Sequence, residues 1–329
     1  GTLDLDGQLV VAANGTLSMP RGDLQMSKIS SGLTSFEINC TDVTTQFIHN
    51  NGQFVCDSSN TFELDANGAA FFKIKPNTSG GNLRLIDNII IEKELVSGTG
   101  ASVLIGSGKT YTFGTATDNA DINHILRGSL GVSAPTVTGA STLNPVNINV
   151  YDDMARDMDI KLANVNVTTA LVHNRDTKIT LTGDCEFDAV TVSSGDTLDL
   201  NGQRAEFSGT LNIDGTLDAD GLIVSSSNID EDGGFSNAAS CDMILTGATT
   251  HDLRGATHRN ILINTSGTAS VNAAKDLGTT PLKIGAGTFD AGQNITCGNL
   301  TVATGATYTA NDDTLTVAGD FTTSGGLIG

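Results

Sequence analysis

The sequence is written in one short phrase: three to five residues of alternating character, closed by a glycine-containing turn. It reads TLDLDG at 2–7, TLDLNG at 197–202, TLNIDG at 210–215, TLDADG at 216–221 and TLTVAGD at 314–320, with NLTVATG at 299–305 and GTFDAG at 287–292 as variants. In TLDLNG, Leu198 and Leu200 fall on one side of an extended chain and Thr197 and Asp199 on the other. Asp-Gly and Asn-Gly tolerate positive φ, so the chain can corner sharply after each short strand. Hairpins could use such pieces, but a module repeated at this density suits a solenoid, in which each coil lays its strand on that of the coil before. The expected fold is all-β: a parallel β-helix, or β-solenoid, over 1–329, with Gly, Asn and Asp corners and aliphatic ladders inside. At about 20 residues per coil the chain makes roughly 15 coils, and at about 4.8 Å each a rod on the order of 70 Å.

Residues 189–215 and 299–325 align without a gap at an offset of 110. They are identical at seven positions: Thr191/Thr301, Val192/Val302, Gly195/Gly305, Thr197/Thr307, Asn201/Asn311, Gly209/Gly319 and Gly215/Gly325. None of these is a carboxylate, a histidine or a thiol. A repeated reactive site would repeat its reactive groups, so this repetition concerns shape.

Composition narrows the function. The net charge of −20, with only 17 scattered Lys and Arg, weighs against nucleic acid and anionic membranes, which bind through basic clusters. Such acidity suits solubility in a salty medium or divalent cations. Cys40, Cys56, Cys185, Cys241 and Cys297 are widely spaced, form no CxxC and are read as small buried hydrophobes, with a Cys40–Cys56 bridge as the alternative for that pair. No apolar run approaches the length of a membrane-spanning helix. The chain starts at Gly1 and shows no signal peptide, and is expected to be a processed product or a piece of a longer polypeptide. Helical spacing is nearly confined to VYDDMARDMDIKLANV (150–165), and the surrounding segment 118–180 is the least repetitive, expected as an irregular coil, an insertion or a boundary between two halves.

The density of these strand-and-corner modules resembles right-handed parallel β-helix proteins, in particular the shafts of phage tail fibres and tailspikes and large surface adhesins. The resemblance covers most of the chain and is one of class. It implies a structural role and carries no functional residue over.

Several local patterns are candidates for chemistry. In NIDEDGG (228–234), Asn228, Asp230 and Asp232 place oxygen ligands at alternate positions before Gly233, the opening of a calcium loop, although Ala239 stands where an EF-hand needs its bidentate Glu. DGTLDADG (214–221) and NDDT (311–314) are weaker versions. Calcium is thus the one cofactor the sequence admits. RGD at 21–23 follows Pro20 and would need an exposed loop tip to serve as a ligand for a receptor. Seven N-x-S/T sequons begin at Asn14, Asn39, Asn77, Asn166, Asn264, Asn294 and Asn299, as a chain rich in Asn and Thr generates automatically. His49, His124, His173, His251 and His258 are dispersed, and HDLRGATH sets the last two seven apart in a β-like context.

An enzyme needs an organised constellation. Neighbouring coils of a β-helix could supply two carboxylates for glycoside hydrolysis, but among 37 acidic residues such proximity has no specificity. Sugar-binding surfaces rely on aromatic platforms, whereas Trp is absent and Tyr is limited to Tyr111, Tyr151 and Tyr308. There is no GxSxG, P-loop or HExxH. The expected role is therefore a non-catalytic building block of a virion fibre or appendage, located in a virion or at a cell surface. It would act by homo-oligomerisation, with a trimer as one arrangement, by docking to other fibre subunits and by display to a surface receptor or glycan. The alternatives are a secreted bacterial adhesin and a polysaccharide depolymerase.

Overall fold

The computed structural model of the chain describes residues 1–27, 34–77, 82–96, 102–106, 108–115, 121–128, 136–140, 146–150, 160–167, 171–172, 178–231, 233–253 and 257–328. It is 55% strand and 3% helix, arranged as parallel stacked coils of a β-solenoid with about 13 turns in all. Two compact units make up the chain, Gly1–Thr168 and Thr169–Gly329. Among the described residues no helix is long and apolar enough to cross a membrane.

In the first unit, period-2 alternation places one side of each strand inward. Leu24 faces Phe54, Phe54 faces Ile74 and Ile74 faces Leu95 in successive parallel strands, and all four are fully buried. Each such side chain contributes on the order of 1.5–3 kcal/mol by leaving water. Phe36, Phe47, Phe54, Phe62 and Phe71 pack tilted or edge-on at 4.8–6.1 Å between ring centroids. Outward residues of this unit pair in register across coils: Lys73 with Glu94, and, on the strands Asn82–Leu85 and Phe62–Asp65, Arg84 with Glu63, each at 2.7 Å. These exposed pairs contribute about 1 kcal/mol or less each, so the ladder is held chiefly by its interior.

The coils are not equal in length. Leu24 and its partner Phe54 are 30 residues apart, whereas Leu3 and Leu24 are 21 apart; the longer coil makes a short excursion between Ile38 and the strand Phe47–Ile48, which stacks in parallel on Leu17–Ser18. That excursion holds the one-turn helix Val43–Gln46, capped by Asp42, whose Oδ1 accepts the Thr44 amide at 3.0 Å. Longer coils of this kind make the turn count lower than a uniform 20-residue period implies. Within 118–180, the described strands Asp121–Gly128, Thr136–Gly139, Val146–Val150, Ile160–Ala163 and Val165–Val167 take part in parallel pairings. Residues 151–159, where helical spacing is strongest, lie outside the described residues.

The second unit is more regular. One interior column runs Cys185, Ala205, Ile223, Met243, Ile261, Leu282 and Leu300, each facing the next in parallel register. A second column begins with Phe187 on Phe207, stacked at 5.2 Å and 14°. The repeated residues of 189–215 and 299–325 have two distinct physical causes. Asn201 and Asn311 (φ 47° and 54°) and Gly195 and Gly305 (φ 95° and 82°) adopt left-handed corners. Gly209, Gly319, Gly215 and Gly325 sit where a Cβ would come within 2.1–2.3 Å of an oxygen of the coil beneath.

All five cysteines are buried and free. The Cys40–Cys56 bridge is therefore absent, and these thiols serve as small core residues, as the other reading of them had it.

Candidate functional site

The phrase TLD occurs at 197–199 and 216–218, one coil apart, and parallel register stacks Asp218 directly on Asp199. Together with Asp220 they bring three carboxylates within 4.8 Å of one another. Asp199 is 9% exposed. Oxygen groups at this spacing have the chemistry to hold a hard cation. Each carboxylate nevertheless already accepts donors of the fold. Lys178 Nζ lies 2.6 Å from Asp199 Oδ2 and the Asn201 amide donates to Asp199 Oδ1 at 2.9 Å. Asn237 Nδ2 donates to Asp218 Oδ1 at 2.6 Å, and the Gly202 amide to Asp220 Oδ1 at 3.0 Å. DGTLDADG contains Asp218 and Asp220 but not Asp199. Only the 19-residue repeat of TLD signals that the third carboxylate joins them.

The calcium-loop residues are placed differently. Asn228 precedes the strand Ile229–Glu231 and Asp230 lies within it, paired in register with Asn212. Asp232 lies outside the described residues.

A groove of about 460 Å³ lies in the first unit between the excursion and the sheet. Its lining combines Phe47, Ile48 and Ile90 with His49, Asn51 and Glu92. His49 stacks on Phe72 at 5.9 Å, its Nδ1 accepts the Asn51 amide at 3.0 Å, and its Nε2 lies 3.2 Å from Glu92 Oε2. An acceptor at Nδ1 places the neutral ring's proton on Nε2, directed at Glu92. Both ring nitrogens are engaged, so the neutral His49 imidazole has no free lone pair for general-base catalysis.

Several of the remaining candidates are absorbed by the fold, while Tyr151 and His173 lie outside the described residues. Asp23 of RGD opens the strand Asp23–Ser27 and accepts Gln53 Nε2 at 3.4 Å, while a Cβ on Gly22 would meet the Gly1 carbonyl at 2.5 Å. The tripeptide enters a strand instead of standing at a loop tip. Asn77 donates to Asp57 of the preceding coil, and Asn294 and Asn299 accept the Thr314 and Asp320 amides of the following one. Tyr111 and Tyr308 are fully buried and present no platform to a sugar. His251 and His258 are buried as well, at 0% and 2% exposure, and among the described residues their ring nitrogens have no hydrogen-bond partner. No family model, curated protein or solved structure matches the chain.

Proposed function

We propose that the chain is a non-catalytic structural building block of an extracellular or virion fibre, acting by self-assembly and surface display. The observation that carries this proposal is where the polar and titratable groups go. Asp199, Asp218 and Asp220 hold corner and ladder donors, His49 is fixed at both nitrogens, and Lys73, Arg84 and Lys109 bridge adjoining coils. Such groups add to the stacking of one coil on another and are not gathered on a reacting atom. The partners proposed are further copies of the chain, other fibre subunits, and a receptor or glycan on a cell surface. A secreted adhesin would share this architecture, and the groove beside His49 and Glu92 favours a recognition role in either setting.

The test combines sedimentation with electron microscopy of the purified chain and of its source material. Oligomers or filaments that grow with concentration are expected. A chain that stays monomeric at high concentration and is found in no filament or particle would overturn the proposal. Incubation with acidic and neutral polysaccharides is expected to release no new reducing ends or unsaturated products.

A further inference from the structure

The second unit seats two imidazoles in its interior whose ring nitrogens have no hydrogen-bond partner among the described residues. Asp252 bridges Asp230 in parallel and its amide donates to the Ile229 carbonyl at 2.8 Å, while His251 faces Val271 on the other side. His251 thus occupies an inward column between Ile229 and Val271, a place that aliphatic residues fill in the neighbouring coils. His258 presents its ring edge-on to Phe235 at 5.4 Å and 86°, and only its backbone amide is bonded, to Thr280 Oγ1 at 2.7 Å. Both residues belong to the stretch between the strands Asp242–Leu245 and Asn260–Val271. There the ladder is thin: the strand Thr250–His251 has two residues, whereas Asp242–Leu245 pairs four residues with the next coil.

We propose that His251 and His258 form an acid-sensitive latch, which holds this coil in the core while both rings are neutral and releases it when they are charged. A neutral imidazole without partners costs the desolvation of its nitrogens, but a charged one in the same place is far more costly. The charges nearby are already paired with one another, and the Lys275 side chain among them is itself buried. The Asp252 carboxylate lies 3.2 Å from Lys275 Nζ, Asp230 sits opposite on the adjoining coil, and Arg259 grips Asp242 through Nε at 2.8 Å. The neighbouring Cys241 thiol is pushed up to about 12, chiefly by burial, and stays uncharged. Burial alone brings each imidazole down to about 4.

The sign follows from linkage. The closed coil binds protons only near pH 4, whereas an exposed imidazole binds them near 6.5, so closure is fully favoured above pH 6.5 and weakens as pH falls toward 4. Between pH 7 and pH 5 the open fraction rises on the order of twentyfold for each ring that becomes exposed. In a stack where each coil contacts only its neighbours, such opening can remain local.

Hydrogen–deuterium exchange at pH 7 and pH 5, corrected for the intrinsic pH dependence, reads this directly. Peptides covering 246–253 and 257–263 are expected to lose protection by on the order of twentyfold or more, while Leu211–Ser225 keeps its own. The His251→Leu/His258→Phe variant is expected to stay protected at pH 5. Equal protection of the unsubstituted chain at both pH values, a loss spread evenly over the second unit, or the same loss in the variant would each overturn the latch. Should the double variant not fold, titration of the imidazole C–H signals in the unsubstituted protein decides. Midpoints below about 5 support the latch and midpoints near 6.5 refute it.

Discussion

Asp218 stacks directly on Asp199 in adjoining parallel strands, and Lys178 Nζ lies 2.6 Å from Asp199 Oδ2. Like charges in direct register repel, and here the repulsion is offset from one side by a lysine that is itself 42% exposed. Lys178→Met is therefore expected to destabilise the chain by about 1 kcal/mol, water at the lysine keeping the effect modest. Adding Asp218→Asn, which keeps an acceptor for Asn237 but removes the second charge, should restore most of the loss. Urea denaturation of the two single variants and the double variant measures this, and additive losses would mean that charge is not the cause.

Two kinds of corner glycine should respond differently to one added methyl group. Gly305 has φ 82° and open space around its missing Cβ, so Gly305→Ala meets backbone strain alone, about 1 kcal/mol. At Gly215 a Cβ would stand 2.2 Å from the Ser193 carbonyl, so Gly215→Ala must push one coil off another, at about 3 kcal/mol. Denaturation midpoints compare them. Gly305→Asn, which tolerates the left-handed corner, should lose less than Gly305→Ala, whereas Gly215→Asn should be no better than Gly215→Ala.

These corners also mark what was legible in the sequence. The identities at Gly195/Gly305 and Asn201/Asn311 follow from the turn alone, and the inward placement of Leu198 and Leu217 follows from period 2. What depends on another coil was not legible. Asp23 reads as part of a loop tripeptide until Gln53, 30 residues later, pairs beside it and draws it into a strand. Asp199 joins Asp218 and Asp220 only once the coil period is known. The excursion that walls the groove has no repeat to announce it, since it interrupts the period. His251 and His258 look like surface residues because their polar rings conceal the inward phase of their positions.

Two buried tyrosines make a paired test of hydrogen bonding. Tyr111 donates to the Leu85 carbonyl at 2.8 Å and accepts the Gly106 amide at 2.5 Å, whereas the buried Tyr308 hydroxyl has no partner among the described residues. Burial raises both phenols well above their usual range, so neither ionises under ordinary conditions. Tyr111→Phe leaves a donor and an acceptor unsatisfied and is expected to cost about 1–3 kcal/mol. Tyr308→Phe removes a buried orphan and is expected to be neutral or stabilising. Thermal or urea denaturation of the two variants checks the contrast; equal losses would contradict it.

The thiols give the sharpest count. All five are buried and free, and burial drives the Cys56 thiol well above its usual range and Cys241 to about 12. The thiolate is the reactive form, so at pH 8 a thiol with a pKa near 12 is ionised in only about one molecule in ten thousand, and its core position shields even that fraction. In the folded chain fewer than one thiol per molecule is expected to react with iodoacetamide at pH 8 within the usual labelling time. In denaturant without reductant, all five should react. Mass spectrometry reads the number of adducts, and a bridge between Cys40 and Cys56 would leave the denatured count at three. Because both residues belong to the first unit, labelling at intermediate urea also reports when that unit opens, independently of Cys185, Cys241 and Cys297 in the second.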